Sequence, residues 1–304
     1  MKPKLEVKLG NLTFKNPVLT ASGTFGYGLE YSPFIDLNLL GGIVVKGLSL
    51  NPKQGNPTPR IYETPCGMIN SIGLQNIGYE AFAREKLPFL RRFNTNIIVN
   101  FFGENLDEYL EMATRLEQTD GVHALEMNVS CPNKKSEWRR MGINPQLLRE
   151  AVKEVRKQVR KPLIVKLSPQ VTDIAEMAKI CEEEGADAVS LINTIPAMVI
   201  DIKTRRSFLG TPTGGLSGPA IRPVAVRAVW EVAGVVKIPI VGMGGIMTAE
   251  DALQFIIAGA TFVAVGTANF INPRATIELI EGIEKFLVAE EIRDINELIG
   301  TFRQ

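Results

Sequence analysis

Ala124-Leu125-Glu126-Met127-Asn128-Val129-Ser130-Cys131-Pro132-Asn133-Lys134-Lys135 is the stretch whose reading decides the fold. Leu125, Met127 and Val129 give it a strand core. Glu126 and Asn128 interrupt that core, and both fall on one face because strand side chains alternate. Pro132 cannot carry a central strand further, so Cys131 stands near a strand's C-terminal end, where a polar loop begins. In parallel α/β proteins that end of a strand is where ligands bind and chemistry occurs. A lone cysteine is usually a small buried hydrophobe, and Cys66 and Cys181 read that way. Asn128 before Cys131 and Pro-Asn-Lys-Lys after it favour a chemical role instead.

Outward from this strand lie seven more of the same kind: Pro17–Gly23, Gly42–Gly47, Asn96–Phe101, Leu163–Ser168, Ala188–Thr194, Ile238–Gly245 and Phe262–Thr267. They are short, nearly continuous apolar runs, as parallel strands covered on both faces require. Between them the spacing predicts helices. Over 146–160, Leu147, Leu148, Val152, Val155 and Val159 form one face with Lys and Arg opposite. Ile277, Ile280 and Leu287 do the same over 276–288, and Gly185-Ala186-Asp187 stops a helix over 172–184. Eight strands each followed by a helix predict an α/β fold of the (β/α)8 TIM-barrel type, one domain over 1–304. A doubly wound sheet is weaker, because no GxGxxG follows the first strand. Long connections at 49–76, 132–145 and 196–217 all follow strands and should overhang one mouth. Residues 5–15 suggest a small hairpin at the barrel bottom.

Composition narrows the function. The 304 residues are 45% hydrophobic and 22% charged, an ordinary globular balance. A net charge of +1 offers no basic surplus for a phosphate backbone, which argues against nucleic acid. Three cysteines without CxxC spacing give no disulfide framework, metal site or iron–sulfur cluster within the chain. No apolar run approaches a membrane span and Met1–Glu6 has no signal-peptide core, so a cytoplasmic protein is expected. His123, the single histidine, is too isolated for a triad and reads as structural.

Packed barrel strands should end in apolar residues, yet Lys46, Asn100, Asn128, Lys166 and Asn193-Thr194 stand at these ends. Each alone could be a satisfied structural group. Together at one mouth they point to a polar ligand, since each left unpaired would cost about 1–3 kcal/mol. Two lysines and several amides suit a planar heterocycle bearing carbonyls and an anionic group. Gly244-Gly245 and Gly266-Thr267, at adjacent strand ends, suit a phosphorylated cofactor held on backbone N–H groups.

These residues resemble a known family. Asn70-Ser71-Ile72-Gly73-Leu74-Gln75-Asn76, Asn128–Asn133, Val165-Lys166-Leu167-Ser168-Pro169, Ile192-Asn193-Thr194, Gly214–Pro219 and Gly242-Met243-Gly244-Gly245-Ile246 are similar, over nearly the whole chain, to class 1 dihydroorotate dehydrogenases. Gln75 and the overall pattern look most like the class 1B catalytic subunit. The resemblance implies FMN in this chain and oxidation of (S)-dihydroorotate to orotate in pyrimidine biosynthesis. It also implies a partner subunit carrying FAD and a 2Fe-2S iron–sulfur cluster that passes electrons to NAD⁺, in a heterotetramer around a homodimer of this chain. Cys131 is similar to the family's catalytic base. Lys46, Asn70, Ser71, Ile72, Gly73, Leu74, Asn128, Asn193 and Thr194 look like the substrate cradle. Ala21, Ser22, Lys46, Gly47, Asn100, Asn128, Lys166, Ile192, Gly218, Gly244, Gly245, Gly266 and Thr267 look like the FMN contacts; no metal is implied. One departure follows Cys131-Pro132-Asn133, where the family usually has a small glycine-containing loop and this chain has the bulkier, basic Lys134–Gly142. The nearest alternatives are a dihydropyrimidine dehydrogenase-like flavin barrel, whose substrates lack a carboxylate, and a fumarate-linked class 1A enzyme. An RNA-modifying flavin barrel would need a basic face, and a non-catalytic scaffold is hard to reconcile with Cys131 and both lysines.

Overall fold

The computed structural model describes residues 2–130 and 137–303. The chain opens with an antiparallel hairpin of β1 (Val7–Leu9) and β2 (Leu12–Phe14), which buries Phe14 edge-on against Phe262, ring centroids 4.8 Å apart. Phe262 begins a barrel strand, so the hairpin closes the N-terminal end, as expected from residues 5–15.

The barrel strands are β3 (Val18–Thr20), β4 (Gly42–Leu48), β7 (Asn96–Phe101), β8 (Ala124–Asn128), β9 (Leu163–Lys166), β10 (Ala188–Leu191), β15 (Ile240–Met243) and β16 (Phe262–Val265). They pair in parallel in that order, and Val263 opposite Val18 closes the ring. All eight stand where the apolar runs predicted them. Each buries both faces, which explains runs with little alternation.

The helices are α1 (Gly78–Ala81), α2 (Leu87–Leu90), α3 (Leu106–Gln118), α4 (Pro145–Gln158), α5 (Ile174–Glu183), α6 (Arg222–Ala233), α7 (Ala249–Ala258), α8 (Ala268–Ile271) and α9 (Ala275–Ala289). Their starts follow from the sequence. Asn105, Asn144 and Asp173 accept hydrogen bonds from first-turn N–H groups, and Thr248 with Asp251 forms a reciprocal capping box. Each such cap is worth about 1 kcal/mol.

Two expectations change. After β3 the described residues form no α-helix, only a 3-10 turn at Leu37–Leu39. Gly23, Gly26 and Gly28 take φ of +87°, +55° and +83°, which a helix does not accommodate. The connections over 49–76 and 196–217 are not plain loops either. They contain β5 (Ile61–Thr64), β6 (Gly67–Asn70), β11 (Ile195–Ala197), β12 (Ile200–Asp201), β13 (Arg206–Ser207) and β14 (Gly214–Ser217). Four of these make one antiparallel sheet in the order β11-β14-β6-β5, joining the two connections through pairs such as Gly215 with Asn70. Strands this short, carrying Pro196 and Gly214-Gly215, have no apolar alternation to betray them; pairing between distant loops makes them.

Candidate active site

The site begins with an irregularity in β4. Val45 pairs with Val99 and Leu48 with Phe101, so β4 holds one residue more than β7 between those pairs. The bulge falls on Lys46 and Gly47 and re-aims them. Lys46 N–H leaves the ladder for Gly26 O at 2.9 Å. A Cβ on Gly47 would lie 2.7 Å from Asn100 Oδ1, so the chain approaches Asn100 as only glycine can. Burial pushes the half-buried Lys46 ammonium below its ordinary pKa; Glu30 opposes that shift and Arg60 adds to it.

Around the barrel from Asn100 come Asn128 and Lys166, which are paired neighbours on β8 and β9. Lys166 is only 5% exposed, and among the described residues its Nζ makes one hydrogen bond, to Ser22 Oγ at 3.1 Å. An ammonium has three protons to place, so two remain for a ligand. Asn128 Oδ1 accepts from Ser130 N–H, and Tyr109 Oη–H holds the Asn128 carbonyl at 2.7 Å. The strand end preceding Cys131 is thereby fixed. Cys131 itself lies outside the described residues.

The four-stranded sheet brings the substrate-side residues over this mouth. Asn70, the last residue of β6, donates to Gly215 O, and Gly215 packs against Thr194 so closely that a Cβ would lie 2.1 Å from Thr194 Oγ1. Asn193 is tied by its N–H to Leu167 O, and its Oδ1 accepts from Thr194 N–H at 2.8 Å. Beyond Asn70, Asn56 takes the carbonyls of Ser71 and Ile72, and Asn76 takes that of Leu74. Gly73 and Leu74 follow with φ of +74° and +58°. A leucine held there costs on the order of 1–3 kcal/mol and persists because those bonds fix the loop. Ser71 N–H donates to Arg60 O at 2.7 Å and is spent on the loop, so the group Ser71 offers is its hydroxyl, buried and without a partner among the described residues.

The glycine sites also converge. Gly244 (φ +134°) and Gly245 (φ +72°) end β15, and Gly218 (φ +94°) leads through a 3-10 turn into α6. A Cβ at Gly245 would meet Gly218 O at 2.6 Å. Thr267 Oγ1 donates to Ser217 Oγ at 2.8 Å, which ties the end of β16 to the same corner. Ala21 lies beside Gly266, and Ile192 N–H donates to Met243 O. The cradle is thus backbone stripped of side chains at the start of a twelve-residue helix, whose first N–H groups and dipole suit an anion. With the ammonium of Lys166 and the orphaned Ser71 hydroxyl, these residues fit a phosphorylated, electron-accepting heterocycle.

The candidates among the described residues stand at or just beyond the C-terminal ends of the barrel strands, or on the two connections that leave β4 and β10. Sequence reasoning assigned no role to Glu126, Ser190, Tyr109 or Ser217. For Glu126 a signal existed, since its alternation with Asn128 places it inside the barrel; Tyr109 sits on the buried face of α3 and carries none. Cys181 behaves as expected, buried in α5 with its thiol pushed far up by that burial; Cys66 does not, because it stands exposed in the turn between β5 and β6. His123 Nδ1 accepts from Ile97 N–H at 2.9 Å. Among the described residues no cluster of metal-ligating side chains occurs, and no helix is long and apolar enough to cross a membrane.

Comparison with known proteins agrees with this geometry. The dihydroorotate dehydrogenase family model matches residues 4–287. The catalytic subunit of dihydroorotate dehydrogenase B (NAD⁺) from Thermodesulfovibrio yellowstonii is 78% identical over 99% of this chain and 100% of its own length. The Trichlorobacter lovleyi protein of the same name is 57% identical over 99% of each chain. A crystal structure of Eimeria tenella dihydroorotate dehydrogenase with ferulenol superposes with a TM-score of 0.82 at 23% identity, over 98% of this chain and 88% of that one, which bears on the fold alone. A barrel with this mouth, matched along nearly its whole length at such identity, belongs to the dihydroorotate dehydrogenase family.

Proposed function

We propose that this chain is the dihydroorotate-oxidising, FMN-binding subunit of an NAD⁺-linked enzyme, converting (S)-dihydroorotate to orotate. The observation that carries the reading is Lys166: a buried lysine that among the described residues makes one hydrogen bond, to Ser22, and stands beside Asn128 at the end of the barrel strands that also lead into the glycine corner. Gly218, Gly244, Gly245, Gly266 and Thr267 would hold the phosphate. Ala21, Ser22, Lys46, Gly47, Asn100, Asn128, Lys166 and Ile192 would line the ring and its tail. Held there, FMN would supply the hydride acceptor for C6 of the substrate.

The chain supplies the rest. Asn70, Asn128, Asn193 and Thr194 present amide and hydroxyl groups to a planar ring with carbonyls on its edge. Lys46 and the Ile72–Leu74 peptide N–H groups, left by carbonyls already engaged with Asn56 and Asn76, suit the substrate carboxylate. Cys131 as thiolate takes the C5 proton, so one proton and one hydride leave and the C5–C6 double bond forms. Lys166 stabilises negative charge that accumulates opposite its ammonium. The sheet over the mouth limits water.

The relatives' names describe a catalytic subunit. For this chain that supports a partner that reoxidises the flavin. We assign it FAD and a 2Fe-2S cluster, in a cytoplasmic heterotetramer built on a homodimer of this chain. The test is the visible spectrum of the purified protein before and after anaerobic dihydroorotate. A bound flavin that bleaches supports the reading. A flavin bleached by dihydrouracil but not by dihydroorotate would favour the dihydropyrimidine dehydrogenase-like alternative, and no chromophore at all would defeat both.

A further inference from the structure

Glu126 is 1% exposed inside the barrel, yet no cation pairs with it among the described residues. Its two carboxylate oxygens take separate neutral donors: Oε2 accepts from Asn100 Nδ2 at 2.6 Å and Oε1 from Ser190 Oγ at 2.9 Å. A carboxylate accepts only, so the Asn100 atom facing it is the amide nitrogen. The other end of that amide, Oδ1, lies against Gly47 at the bulge of β4, in space that a Cβ there would fill. An asparagine side chain can otherwise rotate to exchange its two ends. Here one end is committed.

We infer that Glu126 is a positioning residue for the cofactor: it fixes the Asn100 amide so that an acceptor, never a donor, is presented to the flavin at the mouth. The inference rests on the proposed FMN site in one respect, that Asn100 faces the flavin. It adds that the ligand atom met by Asn100 is a hydrogen-bond donor, and that this polarity is set from below by Glu126, which touches no ligand. Ser190 is the adaptable member, since a hydroxyl can donate or accept.

The hydrogen bond between Asn100 and Glu126 can be reversed, with the same acceptor kept at the mouth and no change in net charge or shape. Asn100→Asp alone sets two carboxylates against each other. Glu126→Gln combined with Asn100→Asp restores one charge and one hydrogen bond, now donated by the glutamine, and again turns an oxygen to the mouth. Glu126→Gln alone keeps its oxygen on Asn100 and its amide nitrogen on Ser190. The readout is the dissociation constant of FMN added to the deflavinated chain, followed by quenching of flavin fluorescence. Glu126→Gln should bind within about threefold of wild type, since it keeps the hydrogen bond to Asn100. Asn100→Asp should lose at least about tenfold, the worth of roughly one hydrogen bond. The double variant should recover to within about threefold of Glu126→Gln, because one bond and one charge return. The apolar pair Asn100→Leu with Glu126→Leu, which satisfies packing but offers no acceptor, should fold and bind weakly. A double variant as weak as Asn100→Asp, or an apolar pair as tight as wild type, overturns the inference while leaving the FMN site standing. Wild-type protein that takes up no FMN removes the site and the inference together.

Discussion

Cys131 and His123 show how differently two isolated residues can act. If Cys131 is the base, Cys131→Ala should keep its FMN, while reduction by dihydroorotate slows roughly 10²–10⁴-fold, the usual worth of a positioned proton acceptor. Stopped-flow reduction checks this, and a wild-type rate would assign the proton to another group. The wild-type rate should rise with pH towards about 8.5, where a free thiol titrates. His123 acts on stability instead. Burial holds its pKa below the ordinary 6.5, with Lys161 adding to that shift and Asp120 opposing it. The folded state therefore favours the neutral ring, whose Nδ1 accepts from Ile97 N–H. Its stabilisation is present above pH 6.5 and is lost as pH falls through the lower, folded-state value, because the unfolded chain then binds the extra proton. His123→Leu should cost about 1 kcal/mol near neutrality, from the lost acceptor. Denaturant melts of both proteins at falling pH should show that gap narrow; a gap that widens would contradict the assignment. The polar strand ends were legible in the sequence because a buried polar residue in an apolar run is conspicuous. The use of Ser71 was not, since nothing in a sequence says whether a serine N–H is already spent on Arg60.

At the scale of elements, the eight barrel strands could be read because burial on both faces demands continuous apolar runs. The sheet over the mouth could not, because its strands are held by each other rather than by a pattern of their own. Its registry nonetheless controls the site. Gly215 on β14 opposes Asn70 on β6 and packs against Thr194, with no room for a methyl group. Gly215→Ala would have to displace Thr194 at its Cβ, not at a flexible tip. Misplacement of this kind can cost on the order of a hundredfold in rate. The variant should retain FMN, since the glycine corner at Gly218, Gly244 and Gly245 is untouched, while kcat/KM for dihydroorotate falls at least about tenfold. Steady-state kinetics with an artificial dye and the flavin content of the purified variant check the two halves together. Unchanged kcat/KM would place Thr194 outside the substrate cradle; lost flavin would mean that the sheet supports the whole mouth.

For the whole molecule, the question is where electrons go after the substrate has been oxidised. The described residues form a closed barrel, and the sheet that carries Asn70 and leads from Asn193 and Thr194 lies over its mouth. No GxGxxG follows the first strand, and three cysteines without CxxC spacing offer no iron–sulfur relay within the chain. A nicotinamide dinucleotide therefore lacks a recognisable seat, and a route through the substrate side would compete with dihydroorotate. Electrons should leave instead through a docked protein that approaches the flavin from another side. The isolated chain should then reduce an artificial dye with dihydroorotate and make little NADH. NADH formation should begin when the partner subunit is added, rise with its concentration and saturate at a fixed stoichiometry. Absorbance at the NADH band, followed during titration of the partner into the purified chain, measures this. Rapid NADH formation by the chain alone would defeat the need for a partner, and rapid turnover with fumarate alone would assign the electrons to a soluble acceptor reached through the same mouth.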